Sequence, residues 1–338
     1  MSKITIIGAG AWGTALSIIL GRKQTHDIRL WAHESEVCES IAQRRVNEKF
    51  LPGQQIPATV TPCNDLAEAL EDAVILVSVM PSQHCRRLFE KMRPHLRRET
   101  LIVSATKGLE ENTLLRMTEV IAHVVNGGPA QRIGALSGPS FAVEAARGDP
   151  TAVTIASDDA ELAHSVQREF SDASFRVYTN KDPIGVELGG ALKNTIAIAA
   201  GVSAGLGLGH NSVAALITRG LAEMTRLVIA CGGKAETMAG LAGLGDLVLT
   251  CTGGLSRNRN VGVELGRGRK LPEVLADMHG MVAEGVFTTT AAVGLARARG
   301  IEMPITEQMH AILHEGKSPR DAIYELMTRS GKSETVRM

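Results

Sequence analysis

A lysine and an asparagine lie in the middle of an apolar stretch at helical spacing. Residues 186–201 read VELGGALKNTIAIAAG, and Lys193 and Asn194 interrupt this apolar run near its middle. An ammonium group loses hydration in such surroundings unless polar partners replace the water. Burial and a neighbouring cation lower the pKa of a lysine, which then can exchange a proton near neutral pH. The alternative is a lysine whose stem covers apolar neighbours while its ammonium reaches solvent.

Two further segments carry residues suited to a polar, anionic substrate. Asp246 stands in the glycine-flanked loop GLGDL, where it could orient a lysine or bind a hydroxyl, or else simply cap a turn. Arg257 and Asn258 follow in SRNR, and a guanidinium offers a fork of donors that matches a phosphate. We interpret the other basic residues of 256–270 as a solvated face.

The segment GAGAWG supplies Gly8, Gly10 and Gly13 in the G-x-G-x-x-G pattern, directly after an apolar strand pattern. Gly8 allows the tight turn, Gly10 lets the backbone approach a pyrophosphate, and Gly13 permits close helix–strand packing. The N-terminus of the following helix would present free N–H groups to the phosphates. A glycine-rich turn without a ligand is the alternative, and the position in the chain favours a dinucleotide site.

The second strand pattern ends in LWAHES, near where an acidic residue would meet the adenine ribose of NAD. His33 stands there, and a histidine tolerates a ribose phosphate that an aspartate would repel. Glu34 could take the acidic role instead. The choice between NAD and NADP therefore stays open, with a preference for NADP.

The elements that must position these residues change in character along the chain. The predicted strands are 4–8, 28–32, 73–79, 100–106, 132–138, 151–157 and 174–179, and the predicted helices between them include 34–46, 82–92, 113–125 and 159–170. This alternation predicts an α/β fold, a Rossmann-type doubly wound and mostly parallel sheet. From about residue 183 only helical patterns follow, so we expect a dinucleotide-binding domain at 1–182 and an all-α substrate-binding and catalytic domain at 183–338.

In such sheets ligands bind at the carboxyl ends of the strands. The residues that follow predicted strands are Val79, Met80, Pro81, Lys107, Gly138, Ser140 and Ala142. We expect all of them to face the crevice that holds the glycine loop. For Lys107 the alternative is an ordinary surface lysine.

Composition limits the classes of function. Of 338 residues 44% are hydrophobic, and 36 basic residues balance 36 acidic ones, which argues against broad nucleic-acid or membrane binding. The five cysteines are scattered without a C-x-x-C pair, as in reduced proteins. The N-terminus lacks a signal-peptide pattern and no long apolar run is present, so we expect a cytoplasmic protein without stable membrane insertion.

Several motifs together resemble the bacterial NAD(P)-dependent glycerol-3-phosphate dehydrogenases. They are GAGAWGTAL, SATKGLE, SGPSFA, GVELGGALKNTIAI, ITRGLAEM, GLAGLGDLVLTCTGGLSRNR and EMPITE, and they extend over nearly the whole chain. The resemblance implies reversible NAD(P)H-dependent reduction of dihydroxyacetone phosphate to sn-glycerol 3-phosphate for phospholipid biosynthesis, and it suggests a homodimer. The alternatives are a dehydrogenase of another hydroxy acid or sugar acid, and a non-catalytic nucleotide sensor.

The resemblance also implies roles for individual residues. Lys193 is implied as the proton donor and acceptor. The implied substrate residues are Lys107, Gly138, Ser140, Lys193, Asp246, Ser256, Arg257 and Asn258. The implied cofactor residues are Gly8, Gly10, Ala11, Trp12, Gly13, His33, Lys107, Ala142, Arg257, Val282 and Glu284. The chemistry asks for no metal, and His310 and His314 in HAILH lack the glutamate of H-E-x-x-H.

Overall fold

The computed structural model describes residues 2–125, 132–278, 280–331 and 333–334, so the last four residues of the predicted second domain lie outside it. Within these residues the first half of the chain forms one sheet of eight strands with helices on its two faces. The strands are Ser2–Ile7 (β1), His26–Trp31 (β2), Val60–Cys63 (β3), Ile75–Ser78 (β4), Leu101–Ser104 (β5), Ile133–Ser137 (β6), Thr151–Ala156 (β7) and Phe175–Asn180 (β8).

The strand order is β3-β2-β1-β4-β5-β6-β7-β8. Neighbouring strands are parallel except β6 and β7, which pair antiparallel. The mostly parallel, doubly wound sheet predicted from the alternating pattern is therefore confirmed. The order of strands reverses between β1 and β4, and this switch point is where such sheets bind ligands.

Seven helices accompany the sheet within the described residues: Ala11–Arg22 (α1), Ser35–Arg44 (α2), Leu66–Leu70 (α3), Cys85–Met92 (α4), Met117–Val125 (α5), Ala142–Arg147 (α6) and Ala160–Phe170 (α7). The predicted helix 113–125 starts four residues later than expected. Leu114 has a positive φ of 61°, which a helix does not accept, and an isolated bridge joins Leu109 to Arg116. The predicted helix 82–92 begins with a 3₁₀ turn at Ser82–His84.

The second half contains only helices in the part of the chain that the structure describes. They are Pro183–Gly205 (α8), His210–Ala230 (α9), Ala235–Met238 (α10), Asp246–Thr252 (α11), Arg257–Gly266 (α12), Leu271–Ala276 (α13), Glu284–Ala298 (α14), Pro304–His314 (α15) and Pro319–Met327 (α16). A π-helical turn at Leu241–Gly245 leads directly into α11. Turns of this kind are rare and are frequent at functional sites.

Helix α8 forms the centre of the helical half. Asp182 caps it by accepting a hydrogen bond from the amide of Gly185, and Pro183 occupies the first turn, where its missing N–H costs nothing. Every residue from Gly185 to Ser203 is buried. Helices α9, α11, α12 and α14 pack around it, which explains why its sequence is apolar on all sides.

We find no single helix among the described residues that is long and apolar enough to cross a membrane. Segments 235–252 and 257–266 reach the required length and composition only when taken together, and they are bent by 47° at the break between them.

Candidate active site

Lys193 lies on α8 with only 6% of its surface exposed. Its ammonium donates hydrogen bonds to Oδ1 of Asp246 at 2.6 Å and to Oγ1 of Thr250 at 2.7 Å. Both partners lie on α11, one turn apart. The costly lysine of the apolar stretch is thus bound by a carboxylate and a hydroxyl, and it does not extend into bulk solvent.

A second lysine reaches the same carboxylate from the sheet. Lys107 follows β5, and its ammonium donates to Oδ2 of Asp246 at 2.6 Å and to the carbonyl oxygen of Gly138 at 3.1 Å. Gly138 follows β6, and the hydroxyl of Ser140 donates to the same carbonyl at 3.0 Å. The structure therefore brings together five of the predicted site residues, from both halves of the chain.

The charges of this cluster shift the proton affinities of its members. Burial lowers the pKa of Lys193 to about 8, the Asp246 carboxylate opposes that shift, and the nearby Lys107 ammonium adds to it. Burial by itself would raise the pKa of Asp246, but the two ammonium groups more than compensate and lower it. Asp246 is therefore a stable anion, and Lys193 can gain and lose a proton close to neutral pH.

The start of α12 lies beside the next residue of α8. Nδ2 of Asn258 donates to Oδ1 of Asn194 at 2.9 Å, and the backbone amide of Gly285 donates to Oδ1 of Asn258 at 2.9 Å. Ser256 is buried and caps α12 by accepting a hydrogen bond from the amide of Arg259 at 3.2 Å. This segment therefore presents a helix N-terminus close to Lys193, and such a terminus attracts anions.

Arg257, the first residue of α12, is exposed. Among the described residues its guanidinium has no hydrogen-bond or ion-pair partner, although the Glu284 carboxylate is close enough to interact with it electrostatically. Glu284 starts α14 and accepts hydrogen bonds from the amide of Ser82 at 3.2 Å and from its hydroxyl at 2.7 Å. Its carboxylate thus joins the loop after β4 to the helical half, and the guanidinium beside it is available for an anion.

The glycine loop between β1 and α1 has the form that the motif predicts. Gly8 has a φ of 119°, and a Cβ on Gly13 would lie 1.9 Å from the carbonyl oxygen of Gly8. Both glycines are therefore required by the fold itself. A Cβ on Gly10 would meet nothing within 4 Å, and its φ of −68° is accessible to any residue. The protein leaves space beside Gly10, as a dinucleotide cradle requires.

The remaining predicted cofactor residues surround this loop or the neighbouring strand ends. Ala11 and Trp12 begin α1, and the Trp12 ring lies 6.3 Å from that of Phe175. His33 is exposed after β2, with its ring 5.9 Å from that of Trp31. Ala142 begins α6, and half-buried Val282 precedes α14. Ala11 and Trp12 therefore follow β1, His33 follows β2 and Ala142 follows β6, all at the carboxyl ends of those strands.

The contacts of Val79, Met80 and Pro81 show where the loop after β4 lies. A Cβ on Gly8 would lie 2.2 Å from the carbonyl oxygen of Val79, so the loop after β4 adjoins the glycine loop. The amide of Met80 donates to Oγ1 of Thr106 at 3.3 Å, and Pro81 leads into the 3₁₀ turn that carries Ser82. These loops line one continuous edge with Lys107.

Two buried contacts, one in the lysine cluster and one close to it on α8, were not predicted from the sequence. Thr250 binds the Lys193 ammonium, and a threonine in the apolar helix DLVLTCT gives no signal of this role. Glu187 lies six residues before Lys193 and is almost fully buried against Arg116. The sequence did contain a signal for Glu187, because burying a carboxylate in the apolar stretch costs as much free energy as burying Lys193. Among the described residues, His310 and His314 are part of no cluster that could hold a metal.

Comparison with known proteins gives one consistent result. The family described as NAD-dependent glycerol-3-phosphate dehydrogenase N-terminus matches residues 3–163, and the corresponding C-terminus matches residues 182–324. The chain is 67% identical over 334 residues to a protein of Koribacter versatilis named glycerol-3-phosphate dehydrogenase [NAD(P)+], covering 99% of both chains. It is 56% identical to a protein of the same name from Acidobacterium capsulatum, covering 99% of this chain and 100% of the relative.

Solved structures agree with this result. The crystal structure of glycerol-3-phosphate dehydrogenase from Coxiella burnetii matches with a TM-score of 0.93 and 43% identity, covering 97% of this chain and 99% of the other. A structure of D-mandelate dehydrogenase with NADH matches with a TM-score of 0.61 at 12% identity, which shows a shared fold alone.

Proposed function

The chain belongs to the NAD-dependent glycerol-3-phosphate dehydrogenase family, and we propose that it reversibly reduces dihydroxyacetone phosphate to sn-glycerol 3-phosphate with NAD(P)H. The observation that carries this proposal is the Lys193 ammonium, bound to Asp246 at 2.6 Å inside a cluster that both halves of the chain build. An NAD(P)-dependent oxidoreductase needs a group that exchanges the hydroxyl proton, and a buried lysine with a pKa of about 8 suits that task.

In the direction of reduction, the Lys193 ammonium polarises the substrate carbonyl and gives its proton to the oxygen as negative charge develops there. In the direction of oxidation, the neutral amine accepts the proton of the secondary hydroxyl. A nicotinamide cofactor held at the glycine loop would supply the hydride for reduction and accept it in oxidation. Asp246 keeps the Lys193 side chain in one orientation, and its charge stabilises the protonated amine.

Lys107 adds a second positive group to the substrate pocket. It is held by Asp246 and by the carbonyl oxygen of Gly138, so its ammonium has a fixed position from which to orient the substrate oxygens. The Ser140 hydroxyl lies at the same carbonyl and is half-buried, where it can bind a substrate hydroxyl. We assign substrate orientation to Lys107, Gly138 and Ser140, and their preformed arrangement lowers the entropic cost of reaction.

We assign the substrate phosphate to the start of α12. Arg257 offers a fork of donors, Ser256 and Asn258 add short polar groups, and the free amides of the helix N-terminus favour a dianion. Arg257 has no ion-pair partner among the described residues, so a bound phosphate would not have to displace one. We also assign Arg257 to the cofactor site. Val282 and Glu284, which lie just before and at the start of α14, belong to the same proposed site.

We propose that the glycine loop holds the cofactor pyrophosphate at Gly10, with Gly8, Ala11, Trp12 and Gly13 shaping the cradle. Lys107 and Ala142 would complete the site at the neighbouring strand ends. His33 is exposed beyond β2 and carries no negative charge, which supports a preference for NADP over NAD. Glu34, next to it, lies 3.9 Å from Lys49, which reduces its ability to repel a ribose phosphate.

We further propose a division into a dinucleotide-binding domain at 1–182 and a catalytic helical domain at 183–338. Residues 181 and 182 connect β8 to α8, and the two family matches lie on either side of a gap between 163 and 182. The small-molecule chemistry and balanced charge support a cytoplasmic enzyme of phospholipid biosynthesis that binds no nucleic acid. A homodimer is proposed from the family resemblance alone.

One assay tests the proposed activity. The purified protein is mixed with dihydroxyacetone phosphate and either NADPH or NADH, and loss of the reduced cofactor is followed by absorbance. We expect turnover with both, and a higher kcat/KM with NADPH. Turnover with neither cofactor would remove the proposed activity. A higher kcat/KM with NADH would leave the activity in place and contradict the cofactor preference.

A further inference from the structure

A second charged contact joins α8 to the sheet, outside the lysine cluster. The Glu187 side chain is only 4% exposed. Its Oε1 accepts a hydrogen bond from the amide of Thr118 at 2.8 Å, and its Oε2 accepts from the Thr118 hydroxyl at 2.5 Å and from the Arg116 guanidinium at 2.5 Å. The proton transfer proposed for Lys193 uses none of these groups, so this buried ion pair requires another explanation.

The contact is a rigid one. The Thr118 amide lies in the first turn of α5, where the helix dipole favours a negative charge. The Arg116 guanidinium is itself fixed by Glu119 at 2.9 Å. Burial raises the pKa of Glu187, and Arg116 and Thr118 counteract that shift. A carboxylate with three charge-assisted or helix-terminal bonds allows little movement of the helix that carries it.

The segment 107–118 runs from the loop after β5 into the first turn of α5, and each of its two ends contacts a side chain that α8 carries or binds. At the first end, Lys107 meets Lys193 across the Asp246 carboxylate. At the other end, Thr118 meets Glu187. Between these two contacts the helix carries Gly190, whose Cβ would lie 3.7 Å from Cγ of Lys107. The stem of Lys107 therefore passes directly over this face of α8.

We propose that Glu187 is a positioning residue, whose bonds to Arg116 and Thr118 fix α8 against the segment 107–118 so that the Lys193 and Lys107 ammonium groups meet across Asp246. Glu187 and Lys193 are separated by about 9 Å along the helix axis, since each residue adds about 1.5 Å. Because both residues lie on one continuous helix, a rotation or translation of α8 at Glu187 displaces Lys193 by a similar amount. The inference rests on the proposed function, because it assigns Glu187 to the alignment of the proton-exchanging lysine.

The test compares Glu187→Gln with the wild-type enzyme in the reduction of dihydroxyacetone phosphate. An amide keeps the size of the side chain but loses the charge and turns an NH₂ group toward the donors of Arg116 and Thr118. We expect kcat to fall about 10- to 100-fold, since small displacements of a catalytic group have effects of that size. We expect the KM for the cofactor to stay unchanged. The high-pH limb of the rate profile should move to lower pH as Lys193 loses its close contact with Asp246.

Glu223→Gln provides the matched control. Glu223 is another buried carboxylate that caps a helix, because it accepts the amides of Ile305 and Thr306 at 2.9 Å each, but all of these residues lie in the helical half. We expect it to lower Tm while leaving kcat and the pH limb in place. If Glu187→Gln behaves in the same way as this control, Glu187 only stabilises the fold and the proposal is wrong.

Thr118→Val keeps the test decisive if Glu187→Gln does not fold. It removes one donor to Glu187 and preserves the shape of the side chain, so we expect a smaller fall in kcat with the pH limb moved in the same direction. An unchanged kcat and pH limb in this variant would overturn the proposal. A wild-type enzyme without turnover would instead refute the proposed function, and the two failures are thereby distinguished.

Discussion

Lys107 and Lys193 bind opposite oxygens of one carboxylate, each at 2.6 Å, although one follows a strand of the sheet and the other lies in the central helix of the helical half. Asp246 is therefore the point at which the two halves of the active site are joined. Two ammonium groups held this close raise the free energy of the doubly protonated state. Burial, together with the neighbouring Lys107 ammonium, moves the pKa of Lys193 toward the pH at which an enzyme operates, and the Asp246 carboxylate limits that shift.

The pH dependence of the reaction follows from this arrangement. The pKa of Lys193 is lowered by burial to about 8, so the ammonium needed for reduction is present below that pH and is lost as the pH rises through it. We expect the rate of dihydroxyacetone phosphate reduction to fall above about pH 8, and the rate of glycerol 3-phosphate oxidation to rise over the same interval. Initial rates in both directions from pH 6 to 10 measure this.

Lys107→Met provides the control for that profile. Removing the second ammonium takes away a repulsion that lowers the pKa of Lys193, so the limb should move to higher pH even though the overall rate falls. A limb that stays in place would show that Lys193 does not produce it.

Gly10 and Gly13 should respond differently to the same change. Gly10→Ala adds a methyl group to open space, so we expect Tm to stay near the wild-type value. The methyl group would press against the cofactor pyrophosphate, and overpacking of this kind costs ~1–3 kcal/mol, so we expect the cofactor dissociation constant to rise about tenfold. Gly13→Ala would place its Cβ 1.9 Å from a backbone oxygen, and we expect it to lower Tm. Thermal melts and fluorescence titration with NADPH measure both. Unchanged cofactor affinity in Gly10→Ala would place the pyrophosphate elsewhere.

Arg257 should act on the phosphate of the substrate. We expect Arg257→Ala to raise the KM for dihydroxyacetone phosphate about 10- to 100-fold, as expected for the loss of a charge-assisted hydrogen bond of ~1.5–3 kcal/mol. Dihydroxyacetone, which lacks the phosphate, should be a poor substrate of both enzymes with a similar kcat/KM. Arg267→Ala is the control, because that arginine pairs with Glu264 at the far end of the same helix. Equal losses on both substrates would contradict a phosphate contact.

Much of the fold was predictable because it depends on local patterns. Seven of the eight strands in the described residues follow runs of apolar, β-branched residues, and the glycine motif places the first turn. Strand β3, Val60–Cys63, was missed. It is four residues long, contains Pro62 and lies at the edge of the sheet, where a proline is tolerated because one side of the strand needs no partner. A short VTPC segment carries no periodic signal that could reveal it.

The site was predictable only as a set of residues. Lys193 and Asp246 are separated by 53 positions, and their contact depends on how α11 packs against α8. Thr250 illustrates the limit, because its hydroxyl takes part in the site only by lying one turn after Asp246 on the side that faces Lys193. Nothing in the sequence specifies which side of a short helix is turned toward a given partner.

The central claim concerns the Lys193 amine, and Lys193→Met tests it most directly. Methionine retains an unbranched apolar side chain of similar reach but cannot exchange a proton. The measurement is kcat for dihydroxyacetone phosphate reduction, with NADPH binding followed by fluorescence in the same preparation. We predict that kcat falls ~10²–10⁴-fold, the usual contribution of a general acid, while NADPH affinity is retained. Turnover close to the wild-type value would contradict the assignment of Lys193 as the proton donor.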